Sequence, residues 1–246
     1  MAFEPRRPSG VVARGRTFYG IDVGVILLDA DAPRAVGDVG NARTFRFPVG
    51  YTTARGADAE RVVEQDAAGL LDTFVAAAQD LVARGVRAVG TSCGFVAIHQ
   101  RELAAGVNGL VATSALLQIP LVLQLLGPED RVGVVTANAQ TLSARHLAAV
   151  GVDDTARKRL TMIGLEHTEH FYPVMVGGRG DLDVDLAGTE VLDAVRAALD
   201  STPGIAALVL ECTNLPPYSD ALREATGLPV WDVRTMLDWI QNAVHP

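Results

Sequence analysis

The sequence predicts an α/β protein made of two similar lobes. Short apolar runs alternate with longer amphipathic segments along the 246 residues, as in chains where helices follow strands. This pattern restarts after Gly127-Pro128, a pair that favours a turn. Hydrophobic residues make up 49% of the chain and aromatic residues 5%, a composition that suits helices packed on sheets better than a β-sandwich.

The first lobe, residues 17–127, contains three predicted strands and two predicted helices. The strands are predicted at Phe18–Leu28, Val86–Gly90 and Gly109–Ala112. Apolar residues recur at steps of three and four over Asp58–Arg84, which predicts one long helix. Ser114 is predicted to cap a second helix over Ala115–Leu126, which Pro120 bends or delays.

The second lobe, residues 128–246, repeats the alternation. Strands are predicted at Arg131–Val135, Leu160–Leu165, Ile205–Leu210 and Leu228–Val233. Helices are predicted at Ala139–Val150, at Leu186–Leu199, from near Pro217, and at Thr235–Val244. Strands separated by helices form parallel sheets with right-handed crossovers, so we expect one sheet in each lobe. The last helix is free to pack back on the first lobe.

Two segments fall outside this alternation. Residues 1–16 contain four arginines and no apolar stretch, so they predict a flexible polar tail and no secretory signal. The link from Asp29 to Gly56 is long for a loop without secondary structure, and Gly37–Asn41 is rich in turn formers. Its apolar residues predict that it folds onto the protein, either as a surface Ω-loop or as a flap over an active site.

Charge and cysteine content narrow the choice of partner and compartment. A net charge of −8 argues against nucleic acid and against an anionic membrane, because both require a basic face. Polar residues interrupt the uncharged stretch Leu103–Pro128, so we expect no membrane-spanning helix. With two cysteines and no secretory signal, the chain is predicted to be cytoplasmic with both thiols reduced.

The two cysteines lie at equivalent places in the two lobes. Cys93 lies in the segment Thr91–Gly94 and Cys212 in the segment Glu211–Asn214, each after an apolar strand and before a predicted helix. The carboxyl ends of parallel strands line the ligand crevice in such folds. Each lobe is therefore expected to contribute one thiol to a shared cleft. The alternative is that both cysteines are small buried hydrophobic residues without a chemical role.

Two facing thiols can move a proton on the carbon next to a carboxylate. That proton is weakly acidic, so its removal needs a base and stabilisation of the resulting enediolate. A thiolate takes the proton on one face and a thiol returns one on the other. We expect the following helix to lower the pKa of each thiol. Backbone N–H groups and the hydroxyls of Thr91, Ser92 and Thr213 are candidate ligands of the carboxylate.

The histidines do not indicate a metal site. No cluster of histidine and cysteine has zinc-ligand spacing, so no metal and no cofactor is predicted. His167 and His170, with Glu166 and Glu169, either face the cleft or belong to a solvated loop, and we favour the loop. His146 is predicted on the surface of a helix.

The two cysteine segments resemble those of the aspartate/glutamate racemase superfamily. This superfamily includes glutamate, aspartate and hydantoin racemases, maleate cis-trans isomerase and arylmalonate decarboxylase. The resemblance covers nearly the whole chain and implies two pseudo-symmetric flavodoxin-like lobes, an interlobe active-site cleft and cofactor-independent chemistry. It implies that Cys93 and Cys212 are the catalytic residues. The implied substrate contacts are Thr91, Ser92, Gly94, Thr136, Asn138, Thr213 and Asn214.

The predicted function is a racemase or epimerase of an amino acid or a related small carboxylate. Two features leave other enzymes open. The segment Cys212–Leu215 looks more like maleate isomerase, and Gly90–Ser92 is similar to the decarboxylase, where a glycine replaces the first catalytic cysteine. A cis-trans isomerase, a decarboxylase that uses Cys212 alone and a catalytically silent carboxylate-binding protein therefore remain alternatives. Whether Cys93 or Gly90 occupies the first catalytic position, and whether the chain forms a homo-oligomer, also stay open.

Overall fold

The computed structural model describes residues 14–15 and 18–245, and its strands form two parallel sheets. The predicted tail, residues 1–16, lies almost entirely outside the described residues. The first sheet consists of β1 (Val23–Leu28), β2 (Val49–Ala54), β3 (Ala88–Thr91) and β4 (Leu110–Ala112). The second sheet consists of β5 (Arg131–Thr136), β6 (Leu160–Gly164), β7 (Ile205–Leu210) and β8 (Val230–Trp231).

The two sheets have the same strand order. The first runs β2-β1-β3-β4 and the second runs β6-β5-β7-β8, so the first and third strands of each lobe lie side by side in the middle. Every strand pair is parallel, as expected where helical connections return the chain to the same edge. The predicted α/β fold with two flavodoxin-like lobes is confirmed.

Helices occupy most of the connections between strands. The α-helices are α1 (Ala59–Glu64), α2 (Leu71–Ala83), α3 (Gln100–Gly106), α4 (Ile119–Leu125), α5 (Ala144–Ala149), α6 (Asp154–Arg157), α7 (Phe171–Met175), α8 (Val184–Ser201), α9 (Ser219–Thr226) and α10 (Val233–Val244). Short 3₁₀ helices lie at Gly94–His99, Ala115–Gln118 and Pro216–Tyr218. Across residues 18–245, no helix is both long enough and apolar enough to span a bilayer.

The last helix, α10, packs against the first sheet. Leu237 is fully buried and belongs to one apolar cluster with Val23 and Val25 of β1. The Arg87 guanidinium, just before β3, donates a hydrogen bond to the Val244 carbonyl at the end of α10. The C-terminal end of the chain therefore covers a face of the sheet formed by its N-terminal half.

The long link Asp29–Gly56 contains a strand, so the prediction of a connection without secondary structure is wrong. β2 pairs with β1 over its full six residues. It lies at the edge of the sheet and is only partly buried, so it lacks the continuous apolar run that marks an inner strand. Phe45, Phe47 and Tyr51 pack against the apolar cluster of β1 and α10, as predicted.

The predicted helix Asp58–Arg84 is broken into α1 and α2, and the single-helix prediction is also wrong. The chain turns at Asp66 and Ala67, whose φ angles are 55° and 50°. These left-handed conformations end the first helix. Ala67 and Leu70 remain buried within the turn, so the apolar spacing continues across the break and does not reveal it.

Candidate active site

The two cysteines occupy the same position relative to the two sheets. Cys93 lies two residues beyond the end of β3, and Cys212 lies two residues beyond the end of β7. β3 and β7 are the third strands of their lobes, and each pairs with the first strand of its lobe. Ligands bind at this switch in strand order in open parallel sheets. Both free thiols line one cavity.

This cavity encloses about 440 Å³ of empty space, including its mouth. Such a size suits a small molecule. Its polar wall is formed by Arg34, Ser92, Cys93, Glu211, Cys212 and Asn214. Its apolar wall is formed by Leu28, Ala30, Ala32, Ala59, Val63, Phe95, Ala137, Met175 and Val176.

Hydroxyl groups of the cysteine segments hold the two lobes together behind this cavity. Thr91 Oγ1 donates a hydrogen bond of 2.6 Å to the Thr113 carbonyl. Thr213 Oγ1 donates one of 2.6 Å to the Ser92 carbonyl in the other lobe. Ser92 Oγ accepts the Leu28 N–H at 2.9 Å and lines the cavity. The structure thus places Ser92 at the cavity, while both threonine hydroxyls are engaged with the backbone.

Asn214 connects Cys212 to the link between β1 and β2. The Cys212 thiol donates to Asn214 Oδ1 at 3.4 Å, and the Asn214 amide donates to Asp38 Oδ2 at 2.5 Å. Asp38 is 1% exposed and also accepts from the Arg34 guanidinium at 3.2 Å and from the Gly40 N–H at 2.7 Å. Burial raises the pKa of Asp38 although Arg34 opposes this shift. The link therefore forms part of the cavity wall, which favours the flap over the surface Ω-loop.

Asn138, a predicted substrate contact, is held by protein groups beyond β5. Its side-chain amide donates to the Glu64 carboxylate at 3.1 Å and to the Tyr172 hydroxyl at 3.2 Å. Its Oδ1 accepts two backbone N–H groups of the following turn. Because of this turn, α5 begins at Ala144, five residues later than the predicted start at Ala139.

The histidines lie away from the cavity. His167 is 81% exposed, and His170 Nε2 accepts the Asp183 N–H, so both belong to a surface loop as favoured. His146 is fully buried, and its ring lies edge-on to Phe95. The surface position predicted for His146 is wrong because this face of α5 packs on the 3₁₀ helix after Cys93. The described residues contain no group of three or more metal-ligating side chains arranged around an ion.

Glu211 is a candidate functional residue to which the sequence analysis assigned no role. It directly precedes Cys212, is fully buried and lines the cavity. Thr136 Oγ1 donates a hydrogen bond of 2.7 Å to Glu211 Oε2, whereas Oε1 has no hydrogen-bond partner among the described residues. Gly94 makes room for this oxygen, since a Cβ there would lie 2.2 Å from Oε1. A carboxylate within an otherwise apolar run was the available signal.

The thiols are harder to ionise than predicted. Burial, followed by the charge of Glu211, raises the pKa of Cys93 to about 12 and that of Cys212 well above its usual value. The expectation of lowered thiol pKa values is wrong because desolvation outweighs the N–H groups that face the two sulfurs. Burial also raises the pKa of Glu211, to about 7. At neutral pH, the negative charge of this cluster therefore resides on Glu211.

Comparison with known proteins identifies the family. No family model matches the sequence. The chain is 34% identical over 218 residues to dimethylsulfoniopropionate lyase 6 of Emiliania huxleyi, covering 85% of this chain and 56% of that protein. It is 31% identical over 239 residues to dimethylsulfoniopropionate lyase 7 of the same organism, covering 95% and 70%.

This chain belongs to the dimethylsulfoniopropionate lyase family. It spans just over half the length of the first relatives it matches, 56% of lyase 6 and 56% of lyase 3 from Emiliania huxleyi. The family membership is therefore stated of the shared region.

Solved structures of the racemase superfamily share the fold. Unliganded arylmalonate decarboxylase matches with a TM-score of 0.53 at 14% identity, covering 90% of this chain and 91% of its own. Allantoin racemase from Klebsiella pneumoniae matches with a TM-score of 0.53 at 17% identity, covering 90% and 88%. At these identities the likeness concerns the fold. It is the fold of the aspartate/glutamate racemase superfamily, as the cysteine segments predicted.

Proposed function

We propose that this chain is a cofactor-independent lyase. It removes a proton next to the carboxylate of a small substrate and expels a leaving group from the adjacent carbon. Both thiols and the buried Glu211 carboxyl meet in one small cavity at the carboxyl ends of the strands, and this observation carries the proposal. Dimethylsulfoniopropionate is the first substrate to test, because relatives at 31% and 34% identity are named for its cleavage.

Elimination from this substrate needs a base more than it needs an acid. A cysteine thiolate takes the weakly acidic proton beside the carboxylate, and the electron pair of that C–H bond forms a carbon–carbon double bond. The bond between the β-carbon and sulfur breaks, and its electron pair leaves with the sulfonium as neutral dimethyl sulfide. The leaving group needs no proton, and acrylate is the second product. The reaction is redox-neutral.

The two cysteines are the proposed catalytic residues. Asn214 orients the Cys212 thiol, so we assign proton removal to Cys212 and the role of second thiol to Cys93. Arg34 is the cation of the cavity wall, and its planar fork of N–H donors matches a carboxylate. The Ser92 hydroxyl is a second proposed donor to that carboxylate. The apolar wall suits the two methyl groups of a dimethylsulfonio group.

The test is product formation by the purified chain. With dimethylsulfoniopropionate it should release dimethyl sulfide and acrylate in equal amounts, measured by headspace gas chromatography and proton NMR. Cys212→Ser should lose about a hundred-fold or more of this rate, because the contribution of a positioned base is of that order. Ser201→Ala, at an exposed serine that ends α8, is the control and should keep the rate. Absence of both products with the wild-type chain would reject the proposal.

A second candidate is a racemase or epimerase of an amino acid or a related carboxylate. Two thiols from equivalent positions of two lobes favour it, because one thiol can remove the proton and the other can return one. In deuterium oxide, such an enzyme exchanges the α-proton and inverts the centre without eliminating a group. Proton NMR and chiral chromatography with the enantiomers of aspartate and glutamate would detect this. Exchange with inversion, in the absence of lyase products, would favour this candidate.

A further inference from the structure

The Glu211 carboxyl is buried with one oxygen unpaired. Oε2 accepts the Thr136 hydroxyl at 2.7 Å, and the Ala137 N–H also binds the carboxyl. Oε1 has no hydrogen-bond partner among the described residues, although the side chain is fully buried. Leaving a carboxylate oxygen unpaired in the interior is costly, so a native protein keeps such a group when it serves a function.

The unpaired oxygen lies at the cysteine pair. Glu211 is covalently linked to Cys212, and its Oε1 occupies the space beside Gly94 that a Cβ would fill, directly after Cys93. The charge of Glu211 acts on both thiols and is the largest charge effect on each. The other charged group that lines the cavity is Arg34, with Asp38 bound to it. Glu211 is thus the carboxylate closest in the fold to both sulfurs.

We propose that Glu211 is the proton acceptor that activates the cysteine pair, an inference that rests on the proposed thiol chemistry. The S–H bond of one thiol breaks as its proton forms an O–H bond with Glu211 Oε1. The electron pair left on sulfur then takes the substrate proton, so that a new S–H bond forms while the substrate C–H bond breaks. Glu211 returns its proton to water when the products leave. Each turnover thus balances without an oxidant or a co-reactant.

The electrostatics of the cluster support this order of proton movements. Burial raises the pKa of Cys93 to about 12 but that of Glu211 only to about 7, so the resting negative charge lies on Glu211. When Glu211 takes up a proton, the charge that raises the pKa of both thiols disappears. A single transfer therefore produces the thiolate and removes the repulsion that opposed it.

Glu211→Gln tests the proposal because glutamine is nearly isosteric, accepts the Thr136 hydrogen bond and cannot take up a proton. The first readout uses the protein without substrate. The rate of iodoacetamide labelling of each cysteine is followed against pH, with peptide mapping. The wild-type profile should have an inflection near neutral pH that reports Glu211. This inflection should vanish in Glu211→Gln, and both thiols should react at lower pH because the neighbouring charge is gone.

Two further variants make this readout specific. Glu190→Gln is the matched control, since Glu190 accepts the N–H groups of Glu169, His170 and Phe171 away from the cavity. Its labelling profile should equal that of the wild type. Thr136→Val keeps the carboxyl and removes the hydrogen bond that lowers the Glu211 pKa. The inflection should therefore move to higher pH, which decides the matter even if Glu211→Gln folds poorly.

Turnover gives the second readout. The lyase rate of Glu211→Gln should fall about a hundred-fold or more. A labelling profile in Glu211→Gln that retains the neutral inflection overturns the inference. So does a variant that keeps the wild-type lyase rate while Cys212→Ser has lost it, and that result leaves the lyase proposal standing. If the wild-type chain yields no acrylate, the lyase proposal fails, and the labelling profiles alone decide the role of Glu211.

Discussion

Asp38 and Asn214 are joined by a hydrogen bond of 2.5 Å although 176 positions separate them in the chain. Asn214 accepts the Cys212 thiol proton through its other side-chain atom. Next to Asp38, Gly37 packs so closely on the second lobe that a Cβ would lie 2.8 Å from Pro217 Cα. The link between β1 and β2 therefore positions a catalytic candidate that belongs to the opposite lobe.

Asp38→Asn should lower the lyase rate about ten-fold or more. An asparagine of the same size cannot accept hydrogen bonds from Asn214, Gly40 and Arg34 together, because one of its two polar atoms is a donor. Losing one partner of a buried hydrogen bond costs about 1–3 kcal/mol, and about 1.4 kcal/mol corresponds to ten-fold in rate. The comparison of kcat/KM uses Asp31→Asn, at an exposed carboxylate of the same link, as its control. Equal kcat/KM for Asp38→Asn and wild type would contradict a positioning role.

The single cysteine variants should distinguish one-thiol from two-thiol chemistry. For a lyase with Cys212 as base, Cys212→Ser is inactive while Cys93→Ser loses less than about ten-fold. For a racemase, both variants stop racemisation, but each still exchanges the proton of one enantiomer because its remaining thiol reaches one face. Steady-state rates and deuterium exchange measure the two cases. Near-normal turnover by Cys212→Ser would contradict every enzymatic role proposed for this chain.

Glu211 should make the folded protein less stable as the pH rises through the neutral range. Burial raises its pKa from 4.5 to about 7, so between these values the folded state binds more protons than the unfolded state. The free energy of unfolding therefore falls with increasing pH in this window, by roughly 3 kcal/mol in total. Glu211→Gln, which does not ionise, should be more stable than wild type by up to this amount above the window and should show no such gain below it.

Urea unfolding at several pH values measures the effect of Glu211. Glu190→Gln is again the control and should lose stability, because its carboxylate accepts three backbone N–H groups. A stability difference between Glu211→Gln and wild type that does not change with pH would show that Glu211 ionises normally in the folded state.

Leu237→Ala should destabilise the fold by about 2–5 kcal/mol. Leu237 of α10 is fully buried against the first sheet, in one cluster with Val23 and Val25. Trp239 lies in the same helix but is 67% exposed, so Trp239→Ala should change stability by no more than about 0.5 kcal/mol. Thermal and urea unfolding of the two variants compare them directly. Similar losses in both would mean that α10 does not pack on the first sheet through Leu237.

The inner strands could be predicted because their signal is local. β7 begins at Ile205 and ends at Leu210, as predicted, because every second neighbour on both faces is apolar. β2 was missed because an edge strand is half exposed and its sequence, Val49 to Ala54, mixes polar and apolar residues. The break between α1 and α2 was missed because buried residues continue through the turn.

The sequence by itself determined the α/β alternation, the repeat of two lobes and the place of each cysteine after a third strand, since these follow from neighbouring residues. Only the tertiary structure decided how the site works. Asp38 reaches Asn214 from 176 positions away, and Thr136 reaches Glu211 from 75 positions away. Burial at the meeting point of the lobes then raises the thiol pKa values that local helices were expected to lower. Desolvation depends on everything that surrounds a group, and most of what surrounds these groups is distant in the chain.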